Sequence, residues 1–178
     1  VATGGYGRGE LFPCSDVDVL ILLAGEPTAA ERERLEHLIG VFWDIGLEIG
    51  HSARTVDACV ELARADITIE TSLLEARLLA GNAALFGRLT RATDKAIDPV
   101  AFLKAKKLEQ EQRHAKHRDT PFALEPNLKE APGGLRDLQV IRWIAQACGI
   151  GKHWRDLASR GLLQHGEARR LARHESML

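Results

Sequence analysis

An α+β fold is predicted, with a small mixed β-sheet and flanking helices coming first and a helical region after them. Three observations carry this. The run Val17-Asp18-Val19-Leu20-Ile21-Leu22-Leu23 is apolar and rich in β-branched residues over a strand's length. Leu47 to Arg54 reads as a second strand, with Glu48 set between apolar neighbours. Elsewhere, capping residues and apolar positions three and four apart mark helices, and from about residue 66 onward nothing else is marked. The sheet part is therefore placed at residues 1–65 and the helical part at 66–178.

The chain opens on a short apolar start, Val1-Ala2, and then Gly4-Gly5-Tyr6-Gly7-Arg8-Gly9-Glu10, four glycines within six residues. Backbone without a Cβ can approach a phosphate closely, and consecutive amides in such a turn form an anion-binding nest. The ten residues between Gly5 and Asp16 leave room for a short helix and a turn at Pro13. Asp16 and Asp18 then stand one residue apart. Successive strand side chains point to opposite faces, so both carboxylates share one face. Two like charges that close raise each other's pKa unless a cation lies between them. A hard divalent ion, Mg²⁺, fits such a pair together with substrate phosphates. The plainer reading is a strand mouth carrying two solvated acids.

Thr28-Ala29-Ala30-Glu31 is a capping box after Pro27, and Leu35, Leu38, Ile39, Phe42 and Trp43 follow at helical spacing until Gly46 stops the helix. Thr55 and Asp66 cap the next two helices, the second closing at Gly81. Asp98-Pro99 opens another, running to about His117. Its stretch 104–118 carries six Lys or Arg against two Glu, which reads as a solvated face with pairs such as Lys107 with Glu111. Leu135, Leu138, Ile141, Ile144 and Cys148 mark one face of a later helix. Before it, Lys129, Arg136 and the Pro132-Gly133-Gly134 turn make either a second anion nest or a buried joining loop. His114 and His117, three apart, read as a surface pair, and His51 as a residue packed beside the sheet.

Several functions are excluded. Pro13 interrupts too early for a dinucleotide-binding fingerprint, and the glycine run ends Arg8-Gly9-Glu10 rather than in the Gly-Lys-Ser or Gly-Lys-Thr of a P-loop. A net charge of −1 with 28% charged residues gives no broad basic field, so no nucleic-acid partner is expected. Cys14, Cys59 and Cys148 lack metal or disulfide spacing and suit a reducing cytoplasm. No apolar run has the length to span a bilayer.

A glycine turn followed by Asp-x-Asp on a strand resembles the DNA polymerase beta-like nucleotidyltransferase superfamily at Gly4-Gly5 and Asp16-Val17-Asp18. The match narrows with Gly4 to Pro13, with Leu47-Glu48-Ile49-Gly50-His51-Ser52-Ala53-Arg54-Thr55, with Leu73 to Gly81, and above all with Leu124-Glu125-Pro126-Asn127-Leu128-Lys129-Glu130-Ala131-Pro132-Gly133-Gly134-Leu135-Arg136-Asp137. Together these are similar to the bacterial PII uridylyltransferase family. The resemblance implies a nucleotidyltransferase core in residues 1–65 and an associated helical region in 66–178, both cut from a longer enzyme whose phosphohydrolase and ACT domains lie elsewhere. It implies UTP and the PII signal protein as substrates, Mg²⁺ as cofactor, Asp16 and Asp18 as metal ligands and catalytic residues, and Gly4 and Gly5 as the phosphate-binding backbone. Arg8 and Ser15 are further nucleotide-binding candidates. A third acid completes such sites, and Glu48 is preferred to Glu70. Two alternatives stay open, an adenylyltransferase-like domain using ATP and a nucleotide- or PII-binding segment without turnover.

Overall fold

The computed structural model describes residues 1–11, 15–47, 49–117, 125 and 127–177. The turn expected at Pro13 lies outside the described residues. By packing the chain forms two units, Val1–Ala96 and Ile97–Leu178. We propose the division at residues 65 and 66 only as the point where the sheet-bearing part gives way to the helical region.

The first unit contains α1 (Gly4–Arg8), β1 (Val17–Leu23), α2 (Ala29–Asp44), β2 (Ile49–Thr55), α3 (Val56–Ala65), α4 (Ile67–Leu74) and α5 (Ala83–Ala96). Parallel strands need a long crossover, and α2 supplies it between β1 and β2. Thr28 and Glu31 form the expected capping box at its start. Leu35, Ile39 and Phe42 are half-buried, whereas Leu38 and Trp43 are exposed, so the inward stripe of α2 is narrower than its apolar spacing suggests. β1 is likewise only half-buried. Leu20 alone in β1 is fully sequestered, because a sheet of two described strands offers few positions covered on every side. Thr55 and Asp66 cap α3 and α4 as expected, each accepting from an amide of the first turn. The core gathers Leu20, Val56, Cys59, Ala63, Leu73 and Leu89. Truncating Leu20 would cost about 2–5 kcal/mol on general grounds.

One departure from the sequence reading matters for the site. The helix from Asp66 was expected to reach Gly81, but α4 stops at Leu74 and Arg77 forms an isolated antiparallel bridge with Ala2. The cause is tertiary. Val1 to Thr3 runs antiparallel to β1, with Leu20 N donating to Val1 O at 2.9 Å and Thr3 N to Asp18 O at 3.1 Å. Ala2 sits between those bonds, so its own N–H and C=O face away from β1. Ala2 is completely buried, and buried backbone groups need partners. Arg77 supplies both, at 2.8 and 2.9 Å. The sequence pattern singles out no helix between Gly81 and Asp98, yet α5 fills that stretch and closes the core with Leu89.

The second unit holds α6 (Pro99–Lys116), α7 (Leu135–Ala147), α8 (Trp154–Ser159) and α9 (His165–Glu175). Asp98 caps α6 through the amides of Val100 and Ala101. The basic stretch is not uniformly solvated. Lys107 and Glu111 are exposed and 3.8 Å apart, but Lys106 is 2% exposed, pairs with Glu109 at 2.7 Å and lies 4.8 Å from the Trp143 ring. The buried face of α7 also differs from the spacing Leu135, Leu138, Ile141. Leu135, Gln139, Val140 and Trp143 are buried and Ile141 is exposed, because the buried Lys106 ammonium of α6 lies over the Trp143 ring as it does over Phe102 of its own helix. Leu138 instead joins Trp154, Ala158 and Ala168.

Candidate active site

Asp18, Leu20 and Leu22 share one face of β1, and Asp16 stands just ahead of the strand. Leu20 and Leu22 enter the core, so the same face carries apolar side chains inward and two exposed carboxylates beyond the core's rim. The Asp18 carboxyl is closely walled. A Cβ on Gly50 would lie 2.5 Å from its Oδ1, and a Cβ on Gly4 would lie 2.9 Å from its Oδ2. Gly50 is its partner in the parallel register, and Gly4 begins α1 at φ 57°, a conformation other residues resist. Burial first, and then the Asp16 charge, raise the pKa of Asp18. Among the described residues, neither carboxylate forms an ion pair.

This donor set fits a hard divalent cation: two adjacent carboxylates, one held in a slot that only glycine walls allow, and, among the described residues, no Lys or Arg paired to either. No described group of three or more His, Cys, Asp or Glu could complete a metal shell. Glu48, expected as the third acid, lies outside the described residues. Glu70, the other candidate, is on α4, a helix rather than a strand. Ser15 is exposed just ahead of Asp16.

The glycine run itself forms α1, a five-residue helix rather than a loop leading to one. Gly7 packs so tightly on the Glu75 carbonyl that no Cβ would fit. Arg8 donates from Nε to Glu10 at 2.6 Å and from Nη1 to both oxygens of Glu75 at 2.6 Å. Burial opposes the charge of Arg8, but the bonds to Glu75 and Glu10 outweigh it and raise its pKa. Of the residues singled out in the sequence, Gly4 lies against the Asp18 carboxyl and Asp16 acts on its charge, whereas Gly5 faces the Glu10 carbonyl and Arg8. The sequence reading missed Gly50, Glu75 and Arg77. Gly50 was open to inference, since pairing the two strands in parallel sets residue 50 opposite residue 18. Glu75 and Arg77 carried no such signal, because they lie within a stretch of helical composition.

Residues 1–50 match the nucleotidyltransferase domain, a span that takes in Gly4, Asp16, Asp18 and Gly50. Residues 101–178 match the GlnD PII-uridylyltransferase family. Over its whole length the chain is 62% identical to a bifunctional uridylyltransferase/uridylyl-removing enzyme of Cupriavidus pinatubonensis, covering 20% of that protein. It is 60% and 56% identical to proteins of the same name from Cupriavidus metallidurans and Aromatoleum aromaticum, covering 21% of each. The second half of the chain is thus similar to the PII-uridylyltransferase family and its first 50 residues to nucleotidyltransferase domains. The chain spans about a fifth of the length of the curated relatives it matches. No solved structure matches it.

The second conspicuous motif, around Pro132-Gly133-Gly134, is organised by Asp137. Its carboxylate accepts from Arg113 Nη2 at 2.6 Å, Gln110 Nε2 at 2.9 Å and the Gly133 amide at 2.7 Å, and His114 Nε2 lies 3.0 Å from both oxygens. Burial alone would raise the pKa of Asp137, but these bonds outweigh it and hold it at about 2. His114 is thus paired with an acid 23 residues away and is not the surface histidine its spacing suggests. Arg136 donates to Glu130 at 3.1 Å and to Gln139 at 2.9 Å, while Arg113 also donates to the Glu130 carbonyl. Among the described residues, no helix is long and apolar enough to cross a membrane.

Proposed function

We propose that this chain carries the transferase site of a PII uridylyltransferase, moving UMP from UTP to a tyrosine hydroxyl of the PII signal protein and releasing pyrophosphate in the cytoplasm. One observation supports it most: the Asp18 carboxyl, walled by Gly4 and Gly50 beside Asp16, is held without a counter-charge among the described residues. Asp16 and Asp18 would bind Mg²⁺, which when bound neutralises charge on the triphosphate and the departing pyrophosphate. The chain's own groups bind and orient. Gly4 and Gly5 leave phosphate oxygens room against the backbone, and the packing of Leu20 and Leu22 fixes the strand from which Asp18 projects. Glu48 as third acid, Ser15 as a hydroxyl donor and Arg8 as the guanidinium of the glycine turn belong to the same proposal.

The test uses the full-length enzyme with PII, Mg²⁺ and labelled UTP or ATP. Asp16→Asn combined with Asp18→Asn is expected to lower UMP transfer by at least about 10³-fold, the scale of losing an electrostatic centre, with circular dichroism unchanged. Transfer by the double variant at the wild-type rate would refute the assignment. Transfer from ATP alone would replace UTP by an adenylyl donor.

A further inference from the structure

The glycine turn is held in place from one short segment, Glu75-Ala76-Arg77, at the point where α4 ends early. Arg77 exchanges two backbone bonds with Ala2. Its side chain donates from Nε to the Gly7 carbonyl at 3.1 Å and from Nη2 to the Tyr6 carbonyl at 2.8 Å, with the guanidinium carbon 5.5 Å from the Tyr6 ring. Both carbonyls lie at the C-terminal end of α1, where the Tyr6 carbonyl also accepts from the Gly9 amide at 3.1 Å, so Arg77 reinforces the cap of this short helix. Glu75 meanwhile receives Arg8, and its carbonyl lies against Gly7. A helix of five residues is not stable by itself, so its position depends on these outside bonds. At the other end of α1, Gly4 is one wall of the Asp18 carboxyl slot.

We infer that Arg77 is a positioning residue of the transferase site: by gripping the Tyr6 and Gly7 carbonyls it fixes α1, and with it the Gly4 wall and the backbone at Gly5. The inference rests on the transferase reading above. Arg77 is exposed, and exposed charged groups contribute little to global stability, so its effect falls on the turn rather than on the fold. The planar guanidinium reaches two carbonyls at once from neighbouring nitrogens. A lysine ammonium keeps the charge but cannot reproduce that fork.

The experiment compares Arg77→Met and Arg77→Lys in the full-length enzyme, measuring KM for UTP, kcat, thermal midpoint and hydrogen exchange of the Gly5 to Gly9 amides. Arg77→Met is expected to raise KM about tenfold and to speed exchange in the turn about tenfold, as loss of a charge-assisted bond predicts, with the midpoint within a few degrees of wild type. Arg77→Lys should stay close to Arg77→Met on both readouts. Unchanged KM and exchange in Arg77→Met, or full rescue by lysine, would overturn the role of Arg77 while wild-type turnover keeps the transferase reading intact. A wild-type enzyme that transfers no nucleotide would overturn both together.

Discussion

Each unit sets an aspartate among glycines, and the two treat its carboxylate oppositely. Asp137 is met by an arginine, a glutamine, a histidine and a backbone amide, and its pKa falls to about 2. Asp18 is met by two glycine walls and another carboxylate, and its pKa rises. Gly134 shows the same contrast. A Cβ there would lie 2.6 Å from the Leu128 carbonyl, so this glycine lets backbone pack on backbone, whereas Gly4 and Gly50 make room for a charged side chain. A carboxylate whose charge the fold already satisfies is part of the scaffold. One whose charge is confined and left unbalanced by described neighbours awaits something that binds, and that difference separates the Asp137 turn from the candidate active site.

The strongest way to break this contrast is Gly50→Ala. The added methyl would meet Asp18 Oδ1 at 2.5 Å, and the carboxylate, the mobile end of a short side chain, would turn away. Stability should change by less than about 1 kcal/mol. UMP transfer should fall roughly 10- to 10²-fold, the penalty of displacing a reacting group by an ångström. Wild-type turnover in Gly50→Ala would show that the glycine wall does not orient Asp18.

Asp137→Ala tests the other side. It removes the nearer of the two carboxylates around Arg113, leaving Glu130 at 3.9 Å, and should cost about 2 kcal/mol in urea unfolding. The same carboxyl sets a pH dependence. Its folded pKa of about 2 lies below the unfolded value, so its contribution is full above about pH 4 and is lost as pH falls toward 2. That contribution is about 2 kcal/mol, and the variant's stability should be correspondingly flatter across that window. An equally steep acid loss in Asp137→Ala would place the titrating group elsewhere.

The smallest expected effect has the opposite sign. Because burial and Asp16 raise the pKa of Asp18, its charged form weakens the metal-free fold once pH rises through that value. Asp18→Asn should therefore raise the thermal midpoint in chelator at neutral pH. Added Mg²⁺ should raise the midpoint of the wild type but not of the variant. A lower midpoint in chelator would mean that the Asp18 charge already has a partner.

Much of this was legible in the residues. The helix starts at Thr28, Thr55, Asp66 and Asp98, and the placement of two carboxylates beside a glycine turn, follow from rules that act over a few residues: capping bonds, and the alternation of a strand. What the sequence by itself determined, then, is the chemistry at the mouth of β1 and the local geometry that points it one way. Tertiary structure alone decided where that chemistry is held. It ended α4 at Leu74, because buried Ala2 needed partners for its N–H and C=O. It paired Arg8 with Glu75 across 67 positions and His114 with Asp137 across 23, and buried Lys106 against Trp143. Such contacts follow from the need to satisfy buried polar groups between distant segments, and no pattern within a single helix or strand encodes which segments will meet.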